Sequence, residues 1–412
     1  MKKIVFALFM IFALAAKAQG NMQWTGTWAT APEFTGKGDM PQTTELTNCS
    51  LREIIRVSFG GKQLRMQLSN EFSKEPVEIK SIYIANLAAD ENGRNDQPGT
   101  DYTAIVKKSV RYLTVNGKRQ FTIQPGEAIF TDAANYNLKP LQRLSVTICY
   151  GKTPVNATSH RGSRTTSYIM KGEAKPGKKF ETFEKLDHWY NISALDVCGD
   201  DNLCIPAIGN SITDGRGTTT NLQNRWTDIA NDYLVAQTTI NGMHYGVLNL
   251  GIGGNSVVRG GLSEPAVKRF DRDILSQRNY KHIIIYEGIN DIGGSKGRSE
   301  QVAADLIEAY KGFIKKAHER GVKVFIGTIL PFGKCFYDDS FFKEAARQTV
   351  NQWIRTSKEV DGVIDFDQLM RNPQIPTQLR EEWQEDWLHP NAKGYEVMGR
   401  FAGERIQQLI QQ

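Results

Sequence analysis

The spacing of apolar residues changes once along the chain, and that change limits the available folds more than any other feature. From about Trp24 to Tyr190 the pattern has a period of two, with Leu64, Met66 and Leu68 on one side and Arg65, Gln67 and Ser69 on the other. Leu144, Val146 and Ile148 repeat it. Successive side chains of a strand point to opposite faces, so this pattern predicts half-buried strands. Gly60-Gly61 and Asn116-Gly117 sit where tight hairpins would turn. The first half, residues 24–190, is predicted to be a β-sandwich of the jelly-roll type.

From about Cys198 onward, short apolar segments alternate with amphipathic ones. The segments are Cys204 to Ile208, Gly246 to Leu250, His282 to Tyr286, Val322 to Leu330 and Val363 to Phe366. Strands separated by helices imply a parallel, doubly wound α/β sheet, predicted here over residues 198–412. One helix is well marked, with Val302, Leu306, Tyr310, Phe313, Ile314 and Ala317 on one stripe and Gly321 placed to end it. Tyr395 to Leu409 reads as a closing helix. The boundary near residues 190–198 is marked only by the change of period.

The chain opens with MKKIVFALFMIFALAAKAQG, in which Lys2 and Lys3 precede an apolar run that ends at Ala16-Lys17-Ala18. That is the pattern of a cleaved secretory signal over residues 1–18. The run is shorter than the roughly 20 apolar residues that span a bilayer, so no stable membrane insertion is expected after cleavage. A secreted or periplasmic location follows. Cleavage removes Lys2, Lys3 and Lys17 from 51 basic residues and leaves 48 against 45 acidic ones, a net charge of +3. A charge this small, without a basic tract, gives no argument for nucleic acid as a partner. The five cysteines lack the paired spacing of a zinc site. Cys198 and Cys204 flank a short polar loop and could form a bridge or remain two thiols.

In a doubly wound sheet, functional groups gather in the loops at the carboxyl ends of the strands. After the first strand comes Gly209-Asn210-Ser211-Ile212-Thr213-Asp214-Gly215, which places a serine at a strand-to-helix junction. Its hydroxyl can face a cleft there, or it can simply cap the helix. After the second comes Asn249-Leu250-Gly251-Ile252-Gly253-Gly254-Asn255-Ser256, whose glycines let backbone approach a ligand. A dinucleotide reading of this loop is weak, because Ser256 stands where the third fingerprint glycine would be. After the third comes Gly288-Ile289-Asn290-Asp291, an amide and a carboxylate that can act at the rim or tie down a loop. The last loop is Asp386-Trp387-Leu388-His389-Pro390. Five of the six histidines, at 160, 188, 244, 282 and 318, read as surface or satisfied residues. His389 differs, because Asp386 can curl back onto one ring nitrogen and leave the other to act as a base.

Taken in order, GNSITDG, GIGGNS, GIND and DWLHP resemble the four blocks of the SGNH (GDSL-like) hydrolases. The resemblance implies a three-layer parallel-sheet fold in which Ser211 is the nucleophile, His389 the base and Asp386 its orienting acid. It also implies an oxyanion hole made by the Ser211 N–H, the Gly254 N–H and the Asn290 side chain. No metal or organic cofactor is implied. The first half, opening Trp24-Thr25-Gly26-Thr27-Trp28, is similar to the β-domain that precedes this catalytic domain in some secreted bacterial members. One departure is Asn210, where the family's first block carries Asp.

The expected activity is ester hydrolysis through an acyl-enzyme. The expected substrate is an O-acetyl or other short acyl group on carbohydrate, or another small ester. A lipase or acyl-thioesterase is the alternative of the same class, and a non-catalytic glycan-binding protein is the alternative of another. Every residue so implied lies in the second half, which casts the first half as an accessory domain.

Overall fold

The computed structural model describes residues 23–43, 45–97, 99–199, 201–337 and 340–412. The leader expected at residues 1–18 lies outside them. Among the described residues, every strand pair of the first half is antiparallel. One sheet joins Trp24–Ala29, Ile192–Cys198, Gly61–Ser69 and Ala128–Phe130, with Ala134–Leu138 also on Gly61–Ser69. A second runs Glu184–Leu186, Ser167–Lys171, Cys49–Arg56, Arg143–Tyr150, Val77–Asn86 and Arg111–Leu113. Leu64, Met66 and Leu68 are buried while Arg65 and Gln67 are partly exposed, as the period predicts. Arg143–Tyr150 is instead buried on both faces, with Ser145 and Thr147 enclosed as fully as Leu144, Val146 and Ile148, so that strand is not half-buried.

The two glycine turns part company. Asn116 and Gly117 both adopt positive φ, 53° and 75°, between the bridged pair Val115 and Lys118, as a primed hairpin turn requires. Gly60-Gly61 is no hairpin, because the chain there leaves Cys49–Arg56 in one sheet and enters Gly61–Ser69 in the other. Gly60 serves close approach instead, since a Cβ there would overlap the carbonyl of Leu138. No disulfide joins the cysteines among the described residues, and the Cys204 thiol donates to the Arg278 carbonyl at 3.1 Å.

The second half is a five-stranded sheet of β1 (Asn202–Gly209), β2 (His244–Gly251), β3 (His282–Tyr286), β4 (Lys323–Gly327) and β5 (Gly362–Ile364). All its pairs are parallel, in the order β2-β1-β3-β4-β5. The register sets Gly209 beside both Gly251 and Tyr286. The carboxyl ends of three strands therefore open side by side at the place where strand order reverses, which is where such sheets bind ligands. The helices that bear on the site are α1 (Ser211–Asp214), α2 (Trp226–Ala236), α3 (Ser299–His318), α4 (Phe341–Thr356) and α5 (Ala392–Gln411). The apolar stripe of α3 is buried, and Gly321 follows it at φ 69°.

The two halves share a packed boundary. Trp24–Ala29 lies against β2 so closely that a Cβ on Gly26 would sit 3.0 Å from Leu248, and one on Gly246 would overlap Ser58 and Phe59. Polar groups hold the edges of this contact. The buried Asp196 carboxylate takes Arg278 Nε at 2.9 and 3.0 Å, and Asn279 Nδ2 reaches the Asn202 carbonyl at 2.6 Å and Thr25 Oγ1 at 2.8 Å. Forcing a side chain into such a boundary costs about 1–3 kcal/mol. Gly246→Leu is therefore expected to lower the thermal unfolding midpoint by several degrees, and an unchanged midpoint in a calorimetric scan would show that the halves do not pack there.

Candidate active site

Ser211 opens α1 directly after β1, and Asn210 caps that helix by accepting from Ile212 N–H at 2.9 Å. The amide that replaces the family's Asp thus does the capping through its oxygen, which an uncharged side chain supplies as well as a carboxylate. Gly215, at φ 101°, ends the short helix. Ser211 Oγ lies 2.8 Å from His389 Nε2. The other ring nitrogen, Nδ1, lies 2.8 Å from Asp386 Oδ2 and 3.0 Å from Oδ1. Because that carboxylate accepts, Nδ1 carries the proton and Nε2 presents a lone pair to the serine hydroxyl.

The loop that makes this alignment is tightly wound. Asp386 Oδ1 accepts from the N–H groups of Leu388 at 3.1 Å and His389 at 2.8 Å. Trp387 at its apex has φ 63°, a left-handed conformation that a bulky residue adopts only when its surroundings impose it. Burial is the largest influence on the His389 ring and holds its pKa below the ordinary 6.5, against the opposing pull of Asp386. For Asp386 burial pushes upward, but bonds from His389 and the loop N–H groups prevail and leave its pKa below the usual 3.8. The pair is accordingly a neutral imidazole on a charged carboxylate at neutral pH.

Gly254 and Asn290 line one cleft of about 250 Å3 together with Val258, Arg259, Arg298 and Tyr337. Gly254 has φ 69°, and a Cβ there would overlap Leu262. Asn290 has a fixed amide orientation. Its Nδ2 donates to the Asn255 carbonyl at 2.7 Å, and its Oδ1 accepts from the Tyr337 hydroxyl at 2.7 Å. A carbonyl can only accept, so the amide cannot be reversed, and the second N–H of Nδ2 is left for another acceptor. The structure therefore brings Ser211, His389 and Asp386 into one chain of contacts and sets Gly254 and Asn290 across a shared cleft.

Arg269 and Tyr337, which the sequence did not single out, support this arrangement, as does Asp291, which it offered as a rim group or a loop tie. Arg269, fully buried, donates to the Gly209 carbonyl at 2.9 Å, the Leu250 carbonyl at 2.8 Å and Asn255 Oδ1 at 2.8 Å. Asp291 ties down a loop, accepting from the N–H groups of Val257 at 2.8 Å and Val258 at 3.1 Å. Burial pushes its pKa up to about 6. Tyr337 lies in a loop with no periodic signal, and only contact across the fold could reveal it. His282 was read as a surface or satisfied residue, but it is buried with Nδ1 unpartnered. Burial lowers its pKa to about 4, so it stays neutral. Among the described residues no group of three or more His, Cys, Asp or Glu is placed to hold a metal ion.

Comparison with known proteins bears on the second half above all. A family profile described as GDSL-like Lipase/Acylhydrolase matches residues 207–397. No curated relative matches the chain. Among solved structures, a lipolytic protein of the G-D-S-L family from Desulfitobacterium hafniense DCB-2 is similar at 20% identity and TM-score 0.38, over 49% of this chain and 99% of that one. A carbohydrate acetylesterase family member from Sinorhizobium meliloti is similar at 14% identity and TM-score 0.39, over 50% of this chain and 99% of that one. A family two carbohydrate esterase from Cellvibrio japonicus is similar at 11% identity and TM-score 0.36, over 95% of this chain and 98% of that one. Residues 207–397 therefore form a GDSL-like lipase/acylhydrolase domain, preceded by an antiparallel β-rich domain.

Proposed function

We propose that the protein is an exported serine esterase that removes O-acetyl or other short acyl groups from carbohydrate through an acyl-enzyme. The contact of 2.8 Å between Ser211 Oγ and His389 Nε2, with Nδ1 held by Asp386, is the observation that carries this reading. Ser211 Oγ adds to the ester carbonyl while its proton passes to His389 Nε2. The resulting oxyanion is held by the N–H groups of Ser211 and Gly254 and the free N–H of Asn290. Collapse of that intermediate breaks the bond to the sugar oxygen, which takes the proton from His389. Water then adds to the acyl-enzyme, giving its proton to His389, and the serine leaves with that proton as the free acid departs.

The substrate side of the reading rests on the polarity of the cleft. Arg259 and Asp305 form an ion pair at 3.6 Å on its wall, and Arg298 and Ser295 stand beside Val258 and Val302. The segment after the nucleophile, Arg216 to Arg225, offers Leu222 as its single aliphatic side chain. A hydrated sugar and a short acyl group suit such walls better than a long hydrocarbon. Export rests on the leader at residues 1–18. No described helix is long and apolar enough to cross a membrane. A second reading, lipase or acyl-thioesterase, is favoured by the exposed Phe336, whose ring lies 4.4 Å from that of Tyr337, a residue of the cleft wall.

The deciding measurement is kcat/KM on 4-nitrophenyl esters from acetate to decanoate, alongside acetate release from acetylated polysaccharide. The carbohydrate-esterase reading expects acetyl esters to be best and Ser211→Ala to be inactive. A lipase gains about 0.8 kcal/mol, roughly fourfold, for each methylene its pocket buries, and such a rise would settle the matter in its favour. Turnover by folded Ser211→Ala would remove the serine from its role.

Tyr337→Phe takes away the donor that pins Asn290 Oδ1 while leaving the cleft's shape. Misplacing an oxyanion donor affects the charged transition state more than the bound ester, so kcat is expected to fall roughly tenfold with KM nearly unchanged. Steady-state kinetics showing an unchanged kcat would remove Tyr337 from this positioning role.

His389 must be neutral to accept the serine proton, so activity disappears as pH falls through its pKa and is complete above it. Burial shifts that pKa below 6.5. The acid limb of the kcat/KM profile is therefore expected to have its midpoint below pH 6.5, and a midpoint above it would contradict the buried, neutral base.

A further inference from the structure

We infer that the turn from His160 to Arg164, in the antiparallel half, positions both the nucleophile helix and the oxyanion loop, so that this half is a component of the active site. The inference builds on the reading of Ser211 as nucleophile. Its centre is the buried Asp214, the last residue of α1. His160 Nε2 lies 2.9 Å from Asp214 Oδ1, and Arg164 Nη2 lies 3.0 Å from Oδ2. His160 Nδ1 faces the Ala31 carbonyl at 3.0 Å. Both partners of the imidazole are acceptors, so both ring nitrogens donate and the ring is an imidazolium. The near-complete burial of His160 and Asp214 keeps water from competing for these bonds, and Gly162 passes so close that a Cβ there would overlap the Asp214 carboxylate. The same Oδ2 would lie 3.6 Å from a Cβ on Gly253, the neighbour of Gly254. One carboxylate thus sits between the nucleophile helix, the oxyanion loop and the turn of the other half.

The same turn reaches the second side of the site. Arg161 donates to Ser263 Oγ at 3.1 Å and, through Nε at 3.1 Å, to Glu33, whose carboxylate also accepts from Ser263. Ser263 follows Leu262, the side chain that packs on Gly254. The backbone of the turn holds the segment after Ser211, since the Arg164 carbonyl accepts from Asn221 N–H at 2.9 Å and the Ser163 carbonyl from Arg225. Five consecutive residues of the first half therefore grip the helix that starts with Ser211, the loop that covers Gly254 and the segment from Asn221 to Arg225. Such contacts fix distances between reacting groups; they touch no substrate.

The test uses the full chain with His160→Ala, His160→Gln and Gly162→Ala, read by kinetics on 4-nitrophenyl acetate and by hydrogen–deuterium exchange. Positioning predicts a loss in kcat of roughly 10- to 100-fold with KM within about twofold, because a small misplacement acts on the transition state. It also predicts faster exchange in peptides 209–216 and 251–263 while α3 is unchanged. His160→Gln, which keeps a donor toward Asp214, should retain more activity than His160→Ala. Should these variants fail to fold, Arg161→Met, altered at a partly exposed side chain, is expected to speed exchange at 251–263 and lower kcat. Folded variants with wild-type kcat and wild-type exchange in both peptides would overturn the inference. If the wild-type chain hydrolyses no ester, the functional reading fails, and the exchange data alone still decide whether the turn holds the two loops.

Discussion

The guanidinium of Arg269 is the interaction on which the site depends most. It is fully buried, and its charge is balanced by Asp273 at 3.0 Å. Its remaining donors reach the last residue of β1, the penultimate residue of β2 and the amide of Asn255, as described above. Asn255 in turn offers its carbonyl to the side-chain amide of Asn290. One planar group therefore fixes three chain segments against each other, and a five-donor fork does so with a geometry that a lysine would not reproduce. Burying a charge this deeply is costly unless every donor is satisfied. Here two of the acceptors are carbonyls at strand ends, and although the Gly209 carbonyl also accepts from Ile252 N–H at 3.0 Å, removing the fork would untie both strand ends from Asn255.

Burial also sets the electrical state of the His389–Asp386 pair. His389 is enclosed, so its charged form is disfavoured, while Asp386 is about one-third exposed and stays ionised through the bonds it accepts. Asp291, one residue beyond Asn290, is displaced in the opposite direction for a carboxylate, because it lies deeper and its desolvation outweighs the backbone N–H groups and the Arg259 charge that oppose it. Carboxylates within one small region thus differ in charge preference according to their partners and depth. Glu287 is the extreme case, with both carboxyl oxygens unpartnered and its pKa driven well above the usual value by burial. The neutral acid is the form that such a place accommodates.

The boundary between the halves is continuous with this chemistry. The strand Trp24–Ala29 packs on β2, and the turn at His160 presses on α1, so the antiparallel sheets support the neighbour of β1 and the helix that begins with Ser211 together. Rigid placement by packed elements is what positions a hydroxyl and an imidazole within hydrogen-bond reach before any substrate arrives. The conformation of Trp387 shows the same demand from the other side, for a left-handed backbone at a bulky residue persists only where neighbouring contacts impose it.

The sequence by itself determined the elements and their order. Period-two alternation at Leu64 to Leu68 and a 3.6-residue stripe from Val302 to Ala317 are local consequences of strand and helix geometry, so they were legible without a fold. So was the motif in which Asp386 curls onto His389, because three residues of loop suffice to bring them together. Tertiary structure decided what depends on residues far apart in the chain. Gly60-Gly61 looked like a hairpin and is a crossing between sheets, since whether two strands pair is settled by their neighbours and not by the glycines between them. Tyr337 and Arg269 carry no local signal, because a hydrogen bond to Asn290 or to the Gly209 carbonyl exists only after distant loops converge. His160 looked like a satisfied polar histidine, and it is one, but the acceptor that satisfies it lies 54 residues away in the other half. Sequence spacing sets local backbone geometry, whereas burial and long-range contact set which polar groups meet, and those meetings are what make a site.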